Sequence, residues 1–418
     1  MERRDFLKLA SMAGLGVVAG GSLAGHAAAA DPYTGPLWIF VHAGGGWDPT
    51  HFCDPKPTAS LNDPDRMTNY TDVLPFGNLQ VAPVGTNAEF FQKHYQRLMV
   101  INGIDTGTNS HDAGTRATWC GTLTEGRPAL AALLAGAYAP TSPLAFISSG
   151  GYDYTGSVVP VTRVPDTGTL ARIAYPNRIN PGDENTQMFH TDTTVERIAA
   201  AREERHKSKL ALQRLPRLRQ SMSTLYTSRL GQNELKQLIQ FLPEQFSNNG
   251  LARQGQVAIA AYRAGICVSA NLSIGGFDTH GEHDQNHIPR LSEMFTGVDA
   301  IMTFAEAAGV ADKVIIVMGS DFGRTPGYNM GNGKDHWNIT SMMMMGPGIP
   351  GNRVIGKTDA RHGPLTIDPN TLQESPSGIR ITPAHIHKAL RKLGGVDTSE
   401  VAAPFPLTEV EEDLPLFA

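Results

Sequence analysis

The chain has 418 residues, of which 40% are apolar, so it is long enough to form one large α/β domain or two smaller ones. Its formal net charge is −5, and its basic residues form only short helical clusters, so neither nucleic acid nor an anionic membrane surface is a favoured partner. Its three cysteines are widely spaced and odd in number, which argues against a disulfide framework and against a cysteine metal site.

The N-terminus has the three parts of a bacterial export signal. Adjacent Arg3 and Arg4 precede Phe6 and Leu7, a Gly- and Ala-rich apolar stretch follows, and small residues end near Ala30. This pattern predicts a twin-arginine signal over residues 1–30, cleaved on export, with the translocase as a transient partner. The stretch is too short and too rich in Gly to serve as a membrane anchor. We therefore expect a periplasmic or secreted protein of residues 31–418 without a membrane anchor.

The first half of the mature chain contains two predicted strands and one predicted helix. Residues 37–42 form an apolar run followed by a Gly-rich loop that ends at Asp48, and residues 98–101 form a second run. A polar loop, 106–112, precedes a predicted helix over 113–120. Pro- and Gly-rich sequence from 139 to 183 predicts loops and short strands.

Residues 194–241 change to a charged pattern with apolar residues at helical spacing. We interpret residues 190–245 as a helical insertion with a solvated face, because its basic residues are expected to be balanced locally by acidic ones. The pattern does not indicate a nucleic-acid-binding arm.

The last third alternates strands and helices. Strands are predicted over 266–274, 314–318 and 342–345, and a helix over 288–308. This alternation predicts an α/β fold with a mostly parallel sheet and helices on both faces. The four consecutive methionines, 342–345, indicate a strand buried on both faces.

Polar side chains follow several of these strands. Because the carboxyl ends of parallel strands share one edge of a sheet, residues far apart in sequence should converge there. A single Asp after a strand is often only a helix cap, but several such positions indicate a polar site. The candidates are Asp48, Ser110, His111, Asp278, His280, His283, Asp321 and His336.

Five motifs resemble a known family. They are GGGWD at 44–48, Ser110-His111, FDTH at 277–280, SDFGRTP at 320–326 and DHW at 335–337. As a set they resemble the exported DUF1501 family, across nearly the whole mature chain. The segment 314–324, the His336 that precedes a strand and Gly-Pro-Gly, and the segment 382–394 resemble the alkaline phosphatase superfamily of phosphatases, sulfatases and phosphoglycerate mutases.

The resemblance implies a three-layer sandwich and an exported, metal-dependent hydrolase of phosphate or sulfate esters. Such an ester is anionic, so a divalent cation is needed to neutralise its oxygens and to lower the pKa of the nucleophile. Carboxylate and imidazole ligands suit zinc or manganese; calcium prefers more oxygen ligands. The substrate would be a small anionic ester or an extracellular polymer.

The resemblance also assigns roles to residues for one or two ions. Asp48 and Asp321 correspond to ligands of the metal that activates the nucleophile. Asp278 and His336, with either His280 or His283, correspond to ligands of the other metal. Ser110 corresponds to the nucleophile, although a shift of one residue puts His111 there. Arg324 is an oxyanion clamp or a structural ion-pair partner.

Two departures from the superfamily leave alternatives open. Phe322 stands where the phosphatases have a metal-binding histidine, so the first metal site is weakened, remodelled around His111 or empty. A Cys-x-Pro-x-Arg element is missing from the sequence, which removes support for a formylglycine sulfatase. The alternative function is therefore a non-catalytic secreted binding or assembly protein that keeps the fold and one metal.

Overall fold

A computed structural model describes residues 32–140, 142, 144–164, 175–180, 185–230, 232–243 and 245–418. The predicted export signal, residues 1–30, lies outside the described residues. In the described part, eight strands form one central sheet in the order β12-β4-β11-β8-β1-β7-β5-β6. The strands in chain order are β1 (Leu37–Ala43), β2 (Leu74–Phe76), β3 (Leu79–Val81), β4 (Leu98–Asp105), β5 (Phe146–Ser148), β6 (Val161–Arg163), β7 (Ser269–Ile274), β8 (Val314–Ser320), β9 (Gly323–Arg324), β10 (His336–Trp337), β11 (Ile339–Met345) and β12 (Arg353–Ile355).

The central sheet is parallel except at one strand. β1 pairs in parallel with β7 and β8, and β5 pairs in parallel with β6 and β7. β11 is antiparallel to both of its neighbours, β4 and β8. The predicted α/β class with a mostly parallel sheet is therefore confirmed, and the single reversed strand matters for the site described below.

Helices cover both faces of the sheet. Their bounds are α1 (Asn87–His94), α2 (His111–Cys120), α3 (Leu130–Tyr138), α4 (Asp192–Leu212), α5 (Pro216–Leu230), α6 (Gln232–Phe241), α7 (Gly250–Arg263), α8 (His283–Ala307) and α9 (Pro383–Leu393). One buried core contains residues of α1, α7 and α8, and the other contains residues of α2, α3 and α9. The arrangement is the three-layer sandwich that the sequence predicts.

β1 shows why the sheet lies between two cores. Its seven residues are all buried. Leu37 and Ile39 belong to one core, and Trp38 and Phe40 belong to the other. Because successive side chains of a strand point to opposite faces, a continuous apolar run is the pattern expected of a strand covered on both sides.

Helix α8 begins five residues earlier than the sequence predicts. The predicted start at 288 is next to Pro289, but the helix runs from His283 and contains this proline. A proline within a helix removes one backbone hydrogen bond, which tertiary packing can offset. The earlier start places His283 and His287 one helical turn apart on the same face.

Helices α4 to α6 occupy the span in which the sequence predicts a helical insertion. None of the residues of α4 is buried, although this helix is 21 residues long. In contrast, α7 packs on β7 and β1, and α8 packs on α7, with many residues of both helices buried in the same core. The α4–α5 pair is therefore an arm on the body of the protein.

His387, one of two buried histidines of α9, predicts a pH dependence of stability. His387 donates from Nε2 to the carbonyl of Thr118 at 2.8 Å, and burial lowers its pKa to about 4. The unfolded chain, with an ordinary histidine pKa, binds this proton at a higher pH than the folded chain does. The contribution of the neutral His387 side chain to the unfolding free energy is therefore complete above about pH 6.5 and is lost as the pH falls toward 4.

When the pH falls from 6.5 to 4, the unfolding free energy of the unmodified protein should decrease. In His387→Gln, which cannot titrate at this position, the decrease should be smaller by about 3 kcal/mol. Urea denaturation at a series of pH values measures this difference. His190→Gln is the matched control, because His190 is exposed. Identical pH profiles for the His387 variant and the unmodified protein would show that His387 is not held neutral by burial.

Candidate metal centre at the carboxyl edge of the sheet

Four chain segments meet at the carboxyl edge of the parallel strands. Asp321 directly follows β8, Asp278 follows β7 by four residues, and His111 begins α2. His336 lies in β10, just before β11. Because β11 is antiparallel to β8, its beginning, not its end, lies at this edge. The reversed strand thus brings His336 to the residues that follow the parallel strands.

The edge cluster consists of His111, Asp278, His280, Asp321, Asp335 and His336. Its centre is the Asp278 carboxylate. The Nε2 atoms of His280 and His336 lie 3.0 and 3.2 Å from Asp278 Oδ1. His111 Nε2 lies 3.5 Å from Asp278 Oδ2. The structure therefore brings together five of the residues that the sequence predicts for the site.

Each of the three imidazoles in the edge cluster has its Nδ1 on an oxygen that can only accept. His111 Nδ1 lies 2.6 Å from Asp321 Oδ2, and His280 Nδ1 lies 2.8 Å from Asp335 Oδ1. His336 Nδ1 lies 2.8 Å from the carbonyl oxygen of Asn109. In each neutral ring the proton is consequently on Nδ1, and Nε2 carries a lone pair.

Three imidazole lone pairs therefore face one carboxylate. His280 Nε2 and His336 Nε2 are 3.0 Å apart, a separation at which two lone pairs repel unless a proton or a cation lies between them. Histidines that bind metals usually donate their second nitrogen to a carboxylate or a carbonyl, as these three do. The donor atoms of His111, Asp278 and His336 lie within 4.8 Å of one another, and His280 Nε2 adjoins two of them, so these residues could hold a divalent metal ion.

Asp278 is ionised and partly open to solvent. Burial by itself acts to raise its pKa, but the Arg324 guanidinium, which donates to Oδ1, outweighs this effect and lowers the pKa to about 2. Its side chain is 47% exposed, and that of His111 is 39% exposed. A negatively charged ligand is thus available at neutral pH in a position that solvent and substrates can reach.

Asp321 has all of its acceptor positions occupied. Oδ1 accepts from His42 Nε2 at 3.0 Å and from the Thr115 hydroxyl at 3.1 Å. Oδ2 accepts from His111 Nδ1 and from the Gly45 amide at 3.1 Å. Burial acts to raise the pKa of Asp321, and the hydrogen bonds from the two histidines more than offset it. The geometry therefore suits Asp321 to orient His111.

His42 is fixed as a donor to Asp321. The indole Nε1 of Trp119 donates to His42 Nδ1 at 2.9 Å, so the ring proton of His42 is on Nε2. Trp119, in the last turn of α2, thus contacts His42, at the end of β1, and His42 in turn contacts Asp321 of the edge cluster. Sequence reasoning treated His42 only as the end of a strand.

Arg324 is enclosed by the loops around the edge cluster. Its side chain is 0% exposed, and Nη2 lies 2.7 Å from Asp278 Oδ1. Its other donors contact the carbonyl oxygens of Gly45, Gly46 and Lys334. Of the two roles that the sequence left open, these contacts fit the structural ion-pair partner, because four of the five N–H groups have partners within the protein.

Ser110 precedes α2 and is exposed. It occupies the N-cap position, yet its side chain makes no capping hydrogen bond. Its hydroxyl group is therefore not occupied by the helix-capping role that was the structural alternative for this serine. It also adjoins His111, one of the residues around Asp278.

Phe322 closes one side of the edge cluster. Its ring is 0% exposed and packs against His111 and His336 with ring centroids 4.9 and 4.4 Å away. A side chain at Gly46 would come within 2.7 Å of this ring, and one at Gly114 would come within 2.3 Å of the Asp321 carbonyl oxygen. The two glycines permit the close approach of the β1 loop and α2.

Asp48 and His283 lie in a second group, the buried cluster, which consists of Asp48, His51, His283, His287 and Lys334. All five side chains are buried. The three imidazoles offer nitrogen atoms within 4.8 Å of one another, so by proximity alone they could also hold a metal. Among the described contacts, none joins Asp48 to Asp321, the residue with which the resemblance groups it.

In the buried cluster, the hydrogen bonds place the ring protons differently from those of the edge cluster. The Asp48 amide donates to His287 Nε2 at 2.8 Å, so the His287 proton is on Nδ1, which lies 3.1 Å from His51 Nδ1. His283 lies between the Asp48 carboxylate, at 3.1 Å, and the Thr279 hydroxyl, at 2.6 Å. Burial lowers the pKa of His283 to about 4 and that of His287 well below its usual value. Burial thus keeps His283 and His287 neutral, and each ring is held by hydrogen bonds or close contacts within the protein.

Lys334 provides the positive charge of the buried cluster. Its Nζ lies 2.6 Å from Asp48 Oδ2, and both side chains are 0% exposed. Burial by itself would raise the pKa of Asp48, but the Lys334 ammonium and His283 hold it well below its usual value. If Asp48 were a metal ligand, its carboxylate would contact a metal ion. In the structure it contacts the Lys334 ammonium group instead.

Sequence reasoning missed four residues of these clusters, and it also missed His42, which contacts Asp321. The four are His51, His287, Lys334 and Asp335. One signal was present in the sequence. His283 and His287 are four residues apart, which places two imidazoles on one face if the helix starts before them. The predicted start of the helix at 288 concealed that signal.

The fold and the edge cluster define an α/β protein whose sheet carries a metal-capable site of histidines and carboxylates. A family model described as protein of unknown function (DUF1501) matches residues 37–404, and the chain belongs to this family. No curated protein has a sequence that matches the chain.

Solved structures similar to this fold include three bacterial proteins. One is a Bacteroides thetaiotaomicron protein from a core locus for the metabolism of multiple glycosaminoglycans, with 11% identity, coverage of 91% of this chain and 78% of that chain, and a TM-score of 0.41. The lipoteichoic acid synthase LtaP of Listeria monocytogenes has 9% identity, coverage of 92% of this chain and 74% of that chain, and a TM-score of 0.38. The alkaline phosphatase of the Antarctic bacterium TAB5 has 10% identity, coverage of 76% of this chain and 93% of that chain, and a TM-score of 0.34. Similarities of this size transfer no function to the chain.

The buried ion pair predicts a large loss of stability when one partner is removed. We expect Lys334→Met to lower the unfolding free energy by about 3 to 5 kcal/mol, because Asp48 would remain charged and unpaired in the interior. Asp48→Asn in the Lys334→Met background should recover part of this loss. Urea denaturation measures both effects.

The matched control is Lys93→Met, which removes the lysine of an ion pair with Asp299 whose side chains are 45% and 37% exposed. It should cost less than about 1 kcal/mol. Equal losses for the two lysine variants would contradict the assignment of Lys334 as the cation that neutralises Asp48.

Proposed function

We propose that this protein is a metal-dependent hydrolase of phosphate or sulfate esters that acts outside the cytoplasm. The observation that carries the proposal is the convergence of three imidazole lone pairs on the Asp278 carboxylate at the carboxyl edge of the sheet. This edge is where α/β proteins bind ligands. The site is also open to solvent, whereas the buried cluster is closed.

The proposed ligands are His111, His280, His336 and Asp278, and the proposed number of ions is one. Mixed imidazole and carboxylate ligands suit zinc or manganese better than calcium. When bound, such an ion neutralises charge on the ester oxygens and lowers the pKa of a nucleophile. Phe322 and the saturated acceptors of Asp321 support a single ion, because they remove ligands from the place of a second one.

Residues around these ligands keep them oriented. Asp321 and Asp335 hold the rings of His111 and His280 through Nδ1, and this fixes the nitrogen that each ring presents to Asp278. The pKa of Asp335 is lowered, chiefly by its hydrogen bond with His280, so it stays an acceptor at neutral pH. Arg324 holds Asp278 in its ionised form from within the protein.

Ser110 is the proposed nucleophile. Its hydroxyl is exposed, is not used as a helix cap and adjoins His111. It also lies at the N-terminus of α2, where the first backbone N–H groups have no partner within the helix. These groups and the helix dipole favour an anionic group next to the serine, as a phosphate or sulfate ester would require.

The proposed location outside the cytoplasm is supported by the twin-arginine pattern of residues 1–30. In the part of the chain that the structure describes, none of the helices has the length and apolar character needed to span a bilayer.

Metal analysis separates the two clusters. We expect the mature protein to bind about one equivalent of zinc or manganese, and His336→Gln to lose it, because one of the four ligands of the edge cluster is removed. His287→Gln should retain the ion, since the buried cluster is not a ligand set. Elemental analysis after dialysis, with circular dichroism as the check on folding, measures both variants.

The assignment of the edge cluster would be refuted if His287→Gln lost the metal and His336→Gln kept it. No bound metal in the unmodified protein, after refolding or growth with each candidate ion, would also refute it.

Ser110→Ala tests the nucleophile. We expect it to lower kcat for an aryl phosphate or sulfate by at least about 100-fold while leaving metal content unchanged, because the attacking group is removed and the ligands stay in place. The assay covers aryl phosphate monoesters, diesters and sulfates, each with added zinc, manganese or calcium. Ser60→Ala, at an exposed serine elsewhere, is the matched control.

Unchanged turnover in Ser110→Ala would assign the attack to a water molecule and not to Ser110. A protein that binds the metal but hydrolyses none of these esters would favour the alternative function, a secreted binding or assembly protein with one metal.

A further inference from the structure

The α4–α5 arm is positively charged, although the net charge of the whole chain is −5. Residues 205–233 contain seven Lys and Arg and no Asp or Glu, which leaves 28 basic and 40 acidic residues for the rest of the chain. The expected local balance of charges in this segment is therefore wrong. The acidic residues of the arm, such as Glu203 and Glu204, lie before this stretch. The arm is strongly basic and the remainder is acidic.

The basic stretch also exposes apolar side chains at the end of the arm. We call residues 207–219 the arm tip. Leu212, Leu215 and Leu218 are 83%, 60% and 47% exposed. Lys207, Lys209, Arg214 and Arg217 are exposed among them. The tip thus combines leucines and cations on a part of the molecule that lies apart from both cores.

The arm tip is a built turn. Arg219 Nη1 donates to the carbonyl oxygens of Leu210 and Gln213 at 2.9 Å each, which satisfies the end of α4 and fixes the start of α5. The rings of His206 and Tyr226 stack with centroids 4.1 Å apart and connect the two helices. The hydrogen bonds and the stacking hold the leucines at the turn, where they do not fold back between α4 and α5.

We propose that the arm tip docks the protein on an anionic phospholipid bilayer. The cations match lipid phosphates, and the leucines enter the apolar region next to the headgroups. Exposed leucines favour this occupant over a soluble polyanion, which would contact the cations and leave the leucines in water. The docking is peripheral, since each helix of the arm carries many charged residues.

Vesicle co-sedimentation of the mature protein tests the proposal. We expect binding to vesicles of equal parts phosphatidylglycerol and phosphatidylcholine to be at least about tenfold stronger than binding to pure phosphatidylcholine. Raising NaCl from about 0.1 M to about 1 M should abolish most of the difference, because the Debye length falls from about 10 Å to about 3 Å.

Two variants separate the contributions of charge and apolar surface. Arg217→Glu and Leu212→Ser/Leu215→Ser should each weaken binding to the anionic vesicles by at least about fivefold. The matched controls are Lys313→Glu and Leu61→Ser, at positions 50% and 52% exposed on the body of the protein. They should bind as the unmodified protein does.

Four results would overturn the proposal. The first is equal binding to both kinds of vesicle, and the second is equal loss in the arm variants and the controls. The third is retention on a dextran sulfate column that depends on Arg217 but not on the leucines, without vesicle binding, which would assign the arm to a polyanionic polymer. Light scattering that showed arm-dependent self-association without vesicle binding would assign it to a second copy of the chain.

Discussion

The metal-capable site depends on three hydrogen bonds made by the inner nitrogens of His111, His280 and His336. Each Nδ1 faces an oxygen that can only accept, so each ring must present an Nε2 lone pair to Asp278. Replacing any one of these acceptors by a donor would reverse the ring proton and remove a ligand. The carboxylates Asp321 and Asp335 therefore orient two of the histidines of the site.

The same reasoning distinguishes two clusters that look alike by residue type. The buried cluster also has three imidazoles close together, but the Asp48 amide fixes the proton of His287 toward His51, and Lys334 neutralises Asp48. One short segment contributes to both clusters: Arg324 contacts Asp278 of the edge cluster, His336 belongs to that cluster, and Lys334 belongs to the buried one. The segment that contains the paired strands β9 and β10 thus contributes residues to both sites.

The sequence predicted the class of fold and much of the site because both depend on short-range patterns. Apolar runs identified the central strands, and the residues after them converged as the geometry of a parallel sheet requires. It could not separate Asp48 and His283 from Asp278, since which loop lies beneath which is set by tertiary packing. The imidazole protons and the early start of α8 at His283 were beyond it because they depend on tertiary contacts. The basic stretch 205–233 is present in the sequence, but the segment was expected to be balanced locally by acidic residues.

The central claim is that one metal ion is bound by three histidines and one aspartate at the sheet edge. X-ray absorption spectroscopy of the zinc-loaded mature protein measures this directly. The predicted spectrum shows multiple scattering from three imidazoles at about 2.0–2.1 Å and from one carboxylate oxygen. A single imidazole in the first shell, or a second metal at about 4 Å, would contradict the claim.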